Sequence, residues 1–250
     1  MPNIPGSTAS TLVALTENKF RYWSHTIGLS LEAAIIPRRC ASCRCILTQQ
    51  EADWCGPCAF SWTRCPTNPR LRFDSPIQWS HGWSWLQNSP TRLEAKLIHE
   101  LKYGVRSTLG LHLGQAMAKE SPSHHLHVKG WAIIPIPLHR KKLRSRGFNQ
   151  SKLLAKGWCQ VHQMKLVDAL TRPTSGRSLT RFGRSQRFLR TRQLYTPNPS
   201  LSPDWSKNTI GCLLIDDVVT TGATLDAAKN ALRQIWEGPI GFVTCLDAAH

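Results

Sequence analysis

Leu213-Leu214-Ile215-Asp216-Asp217-Val218-Val219-Thr220-Thr221-Gly222-Ala223-Thr224-Leu225 carries an apolar run through two adjacent carboxylates into a loop of small and hydroxylated residues. Residues 212–215 have the unbroken apolar character of a parallel strand buried on both faces. Asp216 and Asp217 then stand at the strand's carboxyl end, where open α/β sheets place their ligands, and two acceptors side by side match a vicinal diol. In Thr220, Thr221, Gly222, Ala223 and Thr224, successive backbone N–H groups and hydroxyls can close around a phosphate at a helix N-terminus. Leu225, Ala228, Leu232 and Ile235 share one helical face, and Glu237-Gly238-Pro239 stops that helix before a second apolar strand at 240–246. An ordinary buried strand and turn would leave the two carboxylates without a structural task. The flanking strand and helix are what the ligand chemistry requires.

Working outward, Trp131-Ala132-Ile133-Ile134 reads as another buried strand, ended by Pro135-Ile136-Pro137. A basic loop follows at 138–150, carrying Arg140, Lys141, Lys142, Arg144 and Arg146. In a parallel sheet it faces the same side as Asp216, so cations for a pyrophosphate meet acceptors for hydroxyls. As an isolated charge run it would be a solvated surface loop. Upstream, Ser89-Pro90 begins a helix with Leu93, Leu97 and Leu101 on its buried face and Gly104 at its end. A second helix runs through Leu109, Leu113 and Met117, and Trp79, Trp83 and Trp85 suggest a strand with alternate large rings. Residues 20–36 suggest a further helix before Pro37, and 66–76 a linker. His124, His125 and His127 sit in a polar connector and read as solvated.

The nine cysteines divide by position. Cys40-x2-Cys43 and Cys55-x2-Cys58 supply two thiolate pairs, the ligand set of a structural zinc ion, with Gly56 and Pro57 giving the turn inside the second pair. Disulfides are disfavoured in a chain with no export signal in residues 1–10. Cys45 and Cys65 could each replace a member of the set, while Cys159, Cys212 and Cys245 read as core. The expected division is an N-terminal extension with a helix at 1–37, a zinc ribbon at 38–66, and an α/β domain at 67–250.

At 250 residues the chain is long enough for one sizeable core with a small appendage. The longest apolar stretches fall short of the ~20 residues of a transmembrane helix, which leads to a cytoplasmic expectation, with recruitment by partners to the inner face of the membrane left open. A formal net charge of +17 concentrates polyanions near the surface. Residues 121–167 and 169–203 contain no acidic side chain.

Pro37 with the paired cysteines, Leu101-Lys102-Tyr103-Gly104, Ile134-Pro135-Ile136-Pro137-Leu138-His139, Arg146-Gly147-Phe148-Asn149-Gln150 and the 216–225 loop occur in an order that resembles the ComF family, the phosphoribosyltransferase-like proteins that include ComFC of DNA uptake and the GntX-type proteins. The resemblance covers nearly all of the chain from Pro37 onward. It implies a type I phosphoribosyltransferase fold, a parallel sheet flanked by helices with a small N-terminal zinc ribbon, and 5-phosphoribosyl 1-pyrophosphate with Mg²⁺ as ligand. By motif, Asp216 and Asp217 would take the ribose hydroxyls, residues 220–224 the 5-phosphate, and the 137–146 segment the pyrophosphate. The implied reaction is pentosyl transfer, with pyrophosphate displaced at C1 through positioning and charge stabilisation.

The family's Arg-rich segment usually carries Gln and Asn in a pattern like Gln…Arg-x-x-Asn before an aromatic residue. Here Arg187 keeps the Arg, Arg190 stands in the Asn position, Tyr195 takes the aromatic place, and no Gln falls at the earlier position of the pattern. This departure separates ligand binding from turnover. Arg181, Arg184, Arg187 and Arg190 recur every third residue, a stripe suited either to a phosphate backbone or to a lid that attracts a small anion. With several tryptophans expected to be exposed and available for stacking, single-stranded DNA enters as a partner, alongside other DNA-uptake proteins. Three readings follow: an active transferase, a protein that binds the ribosyl pyrophosphate without turnover, and a nucleic-acid-handling factor.

Overall fold

The computed structural model describes residues 37–65, 79–104, 106–122, 129–173 and 194–248. Among them, β1 (Gly82–Gln87), β2 (Trp131–Pro135), β3 (Lys165–Leu166), β6 (Gly211–Val219) and β7 (Ile240–Asp247) form one sheet in the order β1-β7-β6-β2-β3. Every pairing in it is parallel. β4 (Leu170–Thr171) and β5 (Thr196–Pro197) form a separate antiparallel ladder. The parallel α/β sheet flanked by helices expected from the apolar runs is therefore the fold.

Side-chain alternation on β6 separates two cores. Leu213 and Ile215 pack with α2 (Leu93–Tyr103), α3 (Ser107–Glu120) and α5 (Gln150–His162), whereas Cys212 and Leu214 pack with α6 (Ala223–Leu232), Tyr195 and Trp205. Leu97, Leu101, Leu109, Leu113 and Met117 are fully buried, as their spacing predicts. Each such side chain contributes about 1.5–3 kcal/mol relative to leaving it in water. α3 and α5 approach closely at glycines. A Cβ on Gly114 would overlap the Leu154 backbone, and one on Gly157 the Leu111 carbonyl.

Two elements differ from expectation. The stretch read as a basic loop contains a helix, α4 (Arg140–Arg146), capped when the His139 ring nitrogen accepts from Lys141 N–H at 3.2 Å and ended by Gly147 in the left-handed region at φ 80°. Arg, Lys and Leu are good helix formers, so a charged run between two such stops folds locally. The carboxylates also lie inside β6 rather than beyond it, because pairing with β7 continues to Val219↔Asp247.

Residues 37–65 pack against the sheet and do not stand apart from it. An Arg39↔Ile46 bridge closes the first cysteine turn, α1 (Gly56–Ser61) starts with Cys55 as its N-cap and carries Cys58 of the second pair, so Gly56 and Pro57 form its first turn, and Arg64↔Leu86 adds a bridge to the free edge of β1. Trp62 meets Trp85 edge to face at 5.6 Å, and Cys40, Cys55, Cys58 and Trp62 belong to the same core as Leu97. Arg44 pairs with Glu100 of α2 at 2.6 Å. The bridge covers part of a sheet edge that would otherwise invite foreign strands. No helix among the described residues is long and apolar enough to cross a membrane. The expected helix at 20–36, the 66–76 linker, the three-histidine connector and Arg177 through Arg192 lie outside the described residues.

Candidate functional site

β2 and β6 are neighbours, and chain direction reverses its progress across the sheet between them: β2 leads outward to β3, β6 outward to β7. This is the topological switch point at which doubly wound sheets open a crevice at the strands' carboxyl ends. The register Ile134↔Leu214 and Pro135↔Ile215 aligns the two exits, so residues 137–146 and 216–224 emerge on the same side.

Consecutive strand residues project to opposite faces, so the two carboxylates have different surroundings. Asp216 is buried; its Oδ1 accepts from the Ser151 hydroxyl at 2.8 Å and from Asp217 N–H at 2.9 Å. Burial, followed by the neighbouring Asp217 charge, pushes the Asp216 carboxyl up to about 7. Asp217 is half-buried, with Lys102 Nζ 3.3 Å from its Oδ2. Tyr195 is buried beside the pair, its hydroxyl pushed up to about 12 by burial and by Asp216. The Arg172 guanidinium lies 5.6 Å from the Tyr195 ring centroid. The two ends flanking residues 174–193 therefore pair with one another, through β4 and β5, next to the carboxylates.

Beyond β6, Thr220, Thr221, Ala223 and Thr224 are exposed, while Gly222 is buried and adopts φ 76°, a left-handed turn that aims the chain into α6. The first turn of this ten-residue helix has no side-chain cap, so its N–H groups face outward for an anion. On the neighbouring exit, Arg140, Lys141, Lys142 and Arg144 of α4 are exposed. Arg146 is half-buried over the Tyr103 ring at 4.9 Å and donates to its hydroxyl at 3.3 Å. Asn149 Oδ1 caps α5 by accepting from Ser151 N–H at 3.1 Å, and Asn149 Nδ2 donates to the Ile136 carbonyl at 3.0 Å. That side chain ties the α4–α5 turn to the exit of β2. Gln150 is buried, and its Nε2 has no hydrogen-bond partner among the described residues.

Lys102, Ser151 and Tyr195 thus join the sequence-predicted residues. Lys102 and Gln150 stand inside the motifs quoted above, whereas nothing local marks Ser151, which reaches Asp216 across 65 residues. Arg187 lies outside the described residues. The stacking role assigned to exposed tryptophans is corrected: Trp62, Trp79, Trp85, Trp131, Trp158 and Trp205 are buried and Trp54, Trp83 and Trp236 half-buried, so none of the described tryptophans is exposed. Their rings were needed to fill the two cores.

The second candidate centre is the cysteine cluster. The sulfurs of Cys40, Cys43, Cys45 and Cys55 all lie within 4.8 Å of one another. Cys43 and Cys55 are 3.7 Å apart, against about 3.8 Å between sulfurs of a tetrahedron with ~2.3 Å zinc–sulfur bonds. Cys40 Sγ accepts from Ser42 N–H at 3.4 Å and Cys55 N–H at 3.5 Å, the support a thiolate ligand needs from its surroundings. The donor set fits a structural zinc ion. Cys58 on α1 is a fifth thiol, pushed up by burial and by Cys43, Cys55 and Cys40 around it. Spacing names Cys58 as fourth ligand and geometry adds Cys45 as its competitor. Cys65 instead points to Asp247, 3.9 Å away.

Comparison with known proteins gives relatives of one kind. The chain is 29% identical over 143 residues to competence protein ComFC of Bacillus subtilis, covering 57% of this chain and 50% of that protein. It is 31% identical over 156 residues to DNA utilization protein YhgH of Escherichia coli O157:H7, covering 56% and 64%. Competence protein F of Haemophilus influenzae is 28% identical over 141 residues, covering 54% and 57%. The chain thus spans between half and two thirds of the length of these relatives. No family model matches. Among solved structures, the allosteric regulatory enzyme of purine biosynthesis matches at TM-score 0.39 and 16% identity, over 60% of this chain and 30% of that one. These competence and DNA utilization proteins are what the chain is similar to.

Proposed function

We propose that this ComF-like chain binds 5-phosphoribosyl 1-pyrophosphate with Mg²⁺ in the crevice between the β2 and β6 exits, in the service of DNA uptake or a related nucleotide process. One observation carries the reading: Asp217, a turn with exposed Thr220, Thr221 and Thr224 at a helix N-terminus, and a helix bearing four exposed cations lie at the same end of adjacent parallel strands. The 5-phosphate sits on Thr220, Thr221, Gly222, Ala223 and Thr224, the ribose hydroxyls reach Asp217, and the pyrophosphate meets Arg140, Lys141, Lys142, Arg144 and Arg146. Mg²⁺ is held largely by the ligand's own oxygens, in keeping with its reluctance to shed water. Residues 38–66 serve as the zinc-bearing unit and 67–250 as the ligand domain, working in the cytoplasm.

Titration calorimetry with the ribosyl pyrophosphate and Mg²⁺ tests the ligand. Saturable heat in the wild type that Asp217→Ala abolishes supports it, and pyrophosphate release on adding nucleobases would extend it to pentosyl transfer. Absence of heat in the wild type, with zinc content intact, would reject it. A second reading, single-strand binding, is favoured by the exposed cations of α4. It expects affinity that falls steeply with salt and is unchanged in Asp217→Ala.

A further inference from the structure

Lys102 is given no role in the site by motif or resemblance, yet its ammonium lies 3.3 Å from Asp217 Oδ2. It leaves the last turn of α2, its side chain 26% exposed, and reaches Asp217, whose side chain is 14% exposed. The pair is open to the crevice on one side and closed by the sheet on the other, where the buried Cys245 thiol is pushed up by burial and by Asp217 and drawn down by Lys102. The pair is mostly buried, and for such a pair the cost of desolvation offsets much of the attraction, so stability alone is a weak reason for it. Its location gives it another use. An aspartate whose side chain keeps 14% exposure can still attract a divalent cation from solution, and an ammonium already 3.3 Å away occupies that position and cancels that charge. Ammonium on a flexible four-carbon stem is also the group best able to move aside, since it makes a point contact and not a bidentate fork.

We propose that Lys102 is the resident counter-ion of Asp217: it keeps a free divalent cation out of the crevice, and it yields Asp217 only to a ligand that arrives with its own metal. Displaced, the ammonium stands beside the incoming polyanion and exchanges one negative partner for another. Metal and ligand therefore enter together, never metal first. This rests on the reading of the crevice as a ribosyl-pyrophosphate site, and it adds the order of binding and the residue that sets it.

The test uses the full-length, zinc-loaded protein, with Mn²⁺ alone as the probe, followed by electron paramagnetic resonance, and calorimetry of the ribosyl pyrophosphate with Mg²⁺ as a separate arm. Expected are no Mn²⁺ uptake at the crevice of the wild type below millimolar concentration, uptake of one ion at least tenfold tighter in Lys102→Met, and loss of that ion in Lys102→Met/Asp217→Asn. Lys102→Arg, which keeps the charge, should exclude Mn²⁺ like the wild type. Mn²⁺ uptake by Lys102→Met no tighter than by the wild type overturns the proposal. So does wild-type uptake that Asp217→Asn removes, an outcome that needs no Lys102 variant to fold. Failure of the underlying ligand reading has a different signature: the wild type then binds no ribosyl pyrophosphate with Mg²⁺, and the entry order loses its ligand. Normal ligand binding with unchanged metal uptake in Lys102→Met rejects Lys102 alone.

Discussion

The cysteine unit and the crevice use polar groups in opposite ways. In residues 37–65 the thiols converge on one another, backbone N–H groups point to Cys40 Sγ, and Arg38 donates inward to the carbonyls of Ala52 and Thr48. At the β2 and β6 exits, Thr220, Thr221 and Thr224 and the cations of α4 face solvent. A centre that satisfies its donors internally is built for stability. A centre that leaves donors outward on a rigid sheet is built for something that comes and goes. Removing the ion from the first should therefore cost fold, and removing groups from the second should cost affinity alone.

The largest effect should come from Cys55→Ser, which lies in both candidate ligand sets. Loss of the zinc and at least ~3 kcal/mol of stability are expected, read as metal content and a melting temperature lower by roughly 6–12 °C. A stable, zinc-free variant would break the contrast. Gly157→Ala sharpens it by supplying a stability loss unrelated to either centre: overlap with the Leu111 carbonyl at the α3–α5 crossing should cost about 1–3 kcal/mol with zinc retained, seen in urea melts.

Asp216 tests the border between the two behaviours, since it lies in the crevice and is nonetheless buried. Its carboxyl is held near 7 in the fold, against 3.8 as the ordinary value, so the folded chain keeps a proton that the unfolded chain has lost. Stability should fall as pH rises from about 4 through about 7, and the slope should be shallower in Asp216→Asn when unfolding is followed across that range. Parallel curves would mean that Asp216 is charged throughout. The smallest effect on fold belongs to Thr221→Ala at the exposed turn: an unchanged melt, with ribosyl pyrophosphate affinity about tenfold weaker for one lost hydrogen bond to a charged group. A melt lowered along with affinity would erase the distinction.

How much of this was legible in the sequence follows from range. The buried strands at 131–135 and 211–219 and the helices at 93–103 and 107–120 announce themselves because each is a local apolar pattern. α5 did not, since Gly157 and small residues interrupt its stripe, and its packing on α3 depends on a facing glycine, Gly114, far along the chain. The acidic pair was visible as two adjacent letters. That one would be buried against Ser151 and the other paired with Lys102 could not be, because strand alternation decides it and both partners come from distant helices. Likewise, spacing finds two Cys-x2-Cys pairs and leaves Cys45 and Cys65 as equal candidates to replace a member; the fold separates them, bringing the Cys45 sulfur into the cluster and Cys65 beside Asp247.

β7 lies between β6 and β1, so the central place in one half of the sheet is filled by the strand that is made after the other four. Ser84 of β1 and Thr244 of β7 share a 2.6 Å hydrogen bond across 160 residues. On the ribosome, β1 must wait through nearly the whole domain for its neighbour, with Trp83 and Trp85 already synthesised and one strand edge open. The bridge from Arg64, on the other edge of β1, is made from chain synthesised long before residues 240–247, so the waiting strand has one neighbour from its own chain available to it. A metal taken up early by residues 40–58 would thereby act as a guardian of translation, and zinc-starved cells should accumulate this protein in aggregates even where the finished fold tolerates the loss.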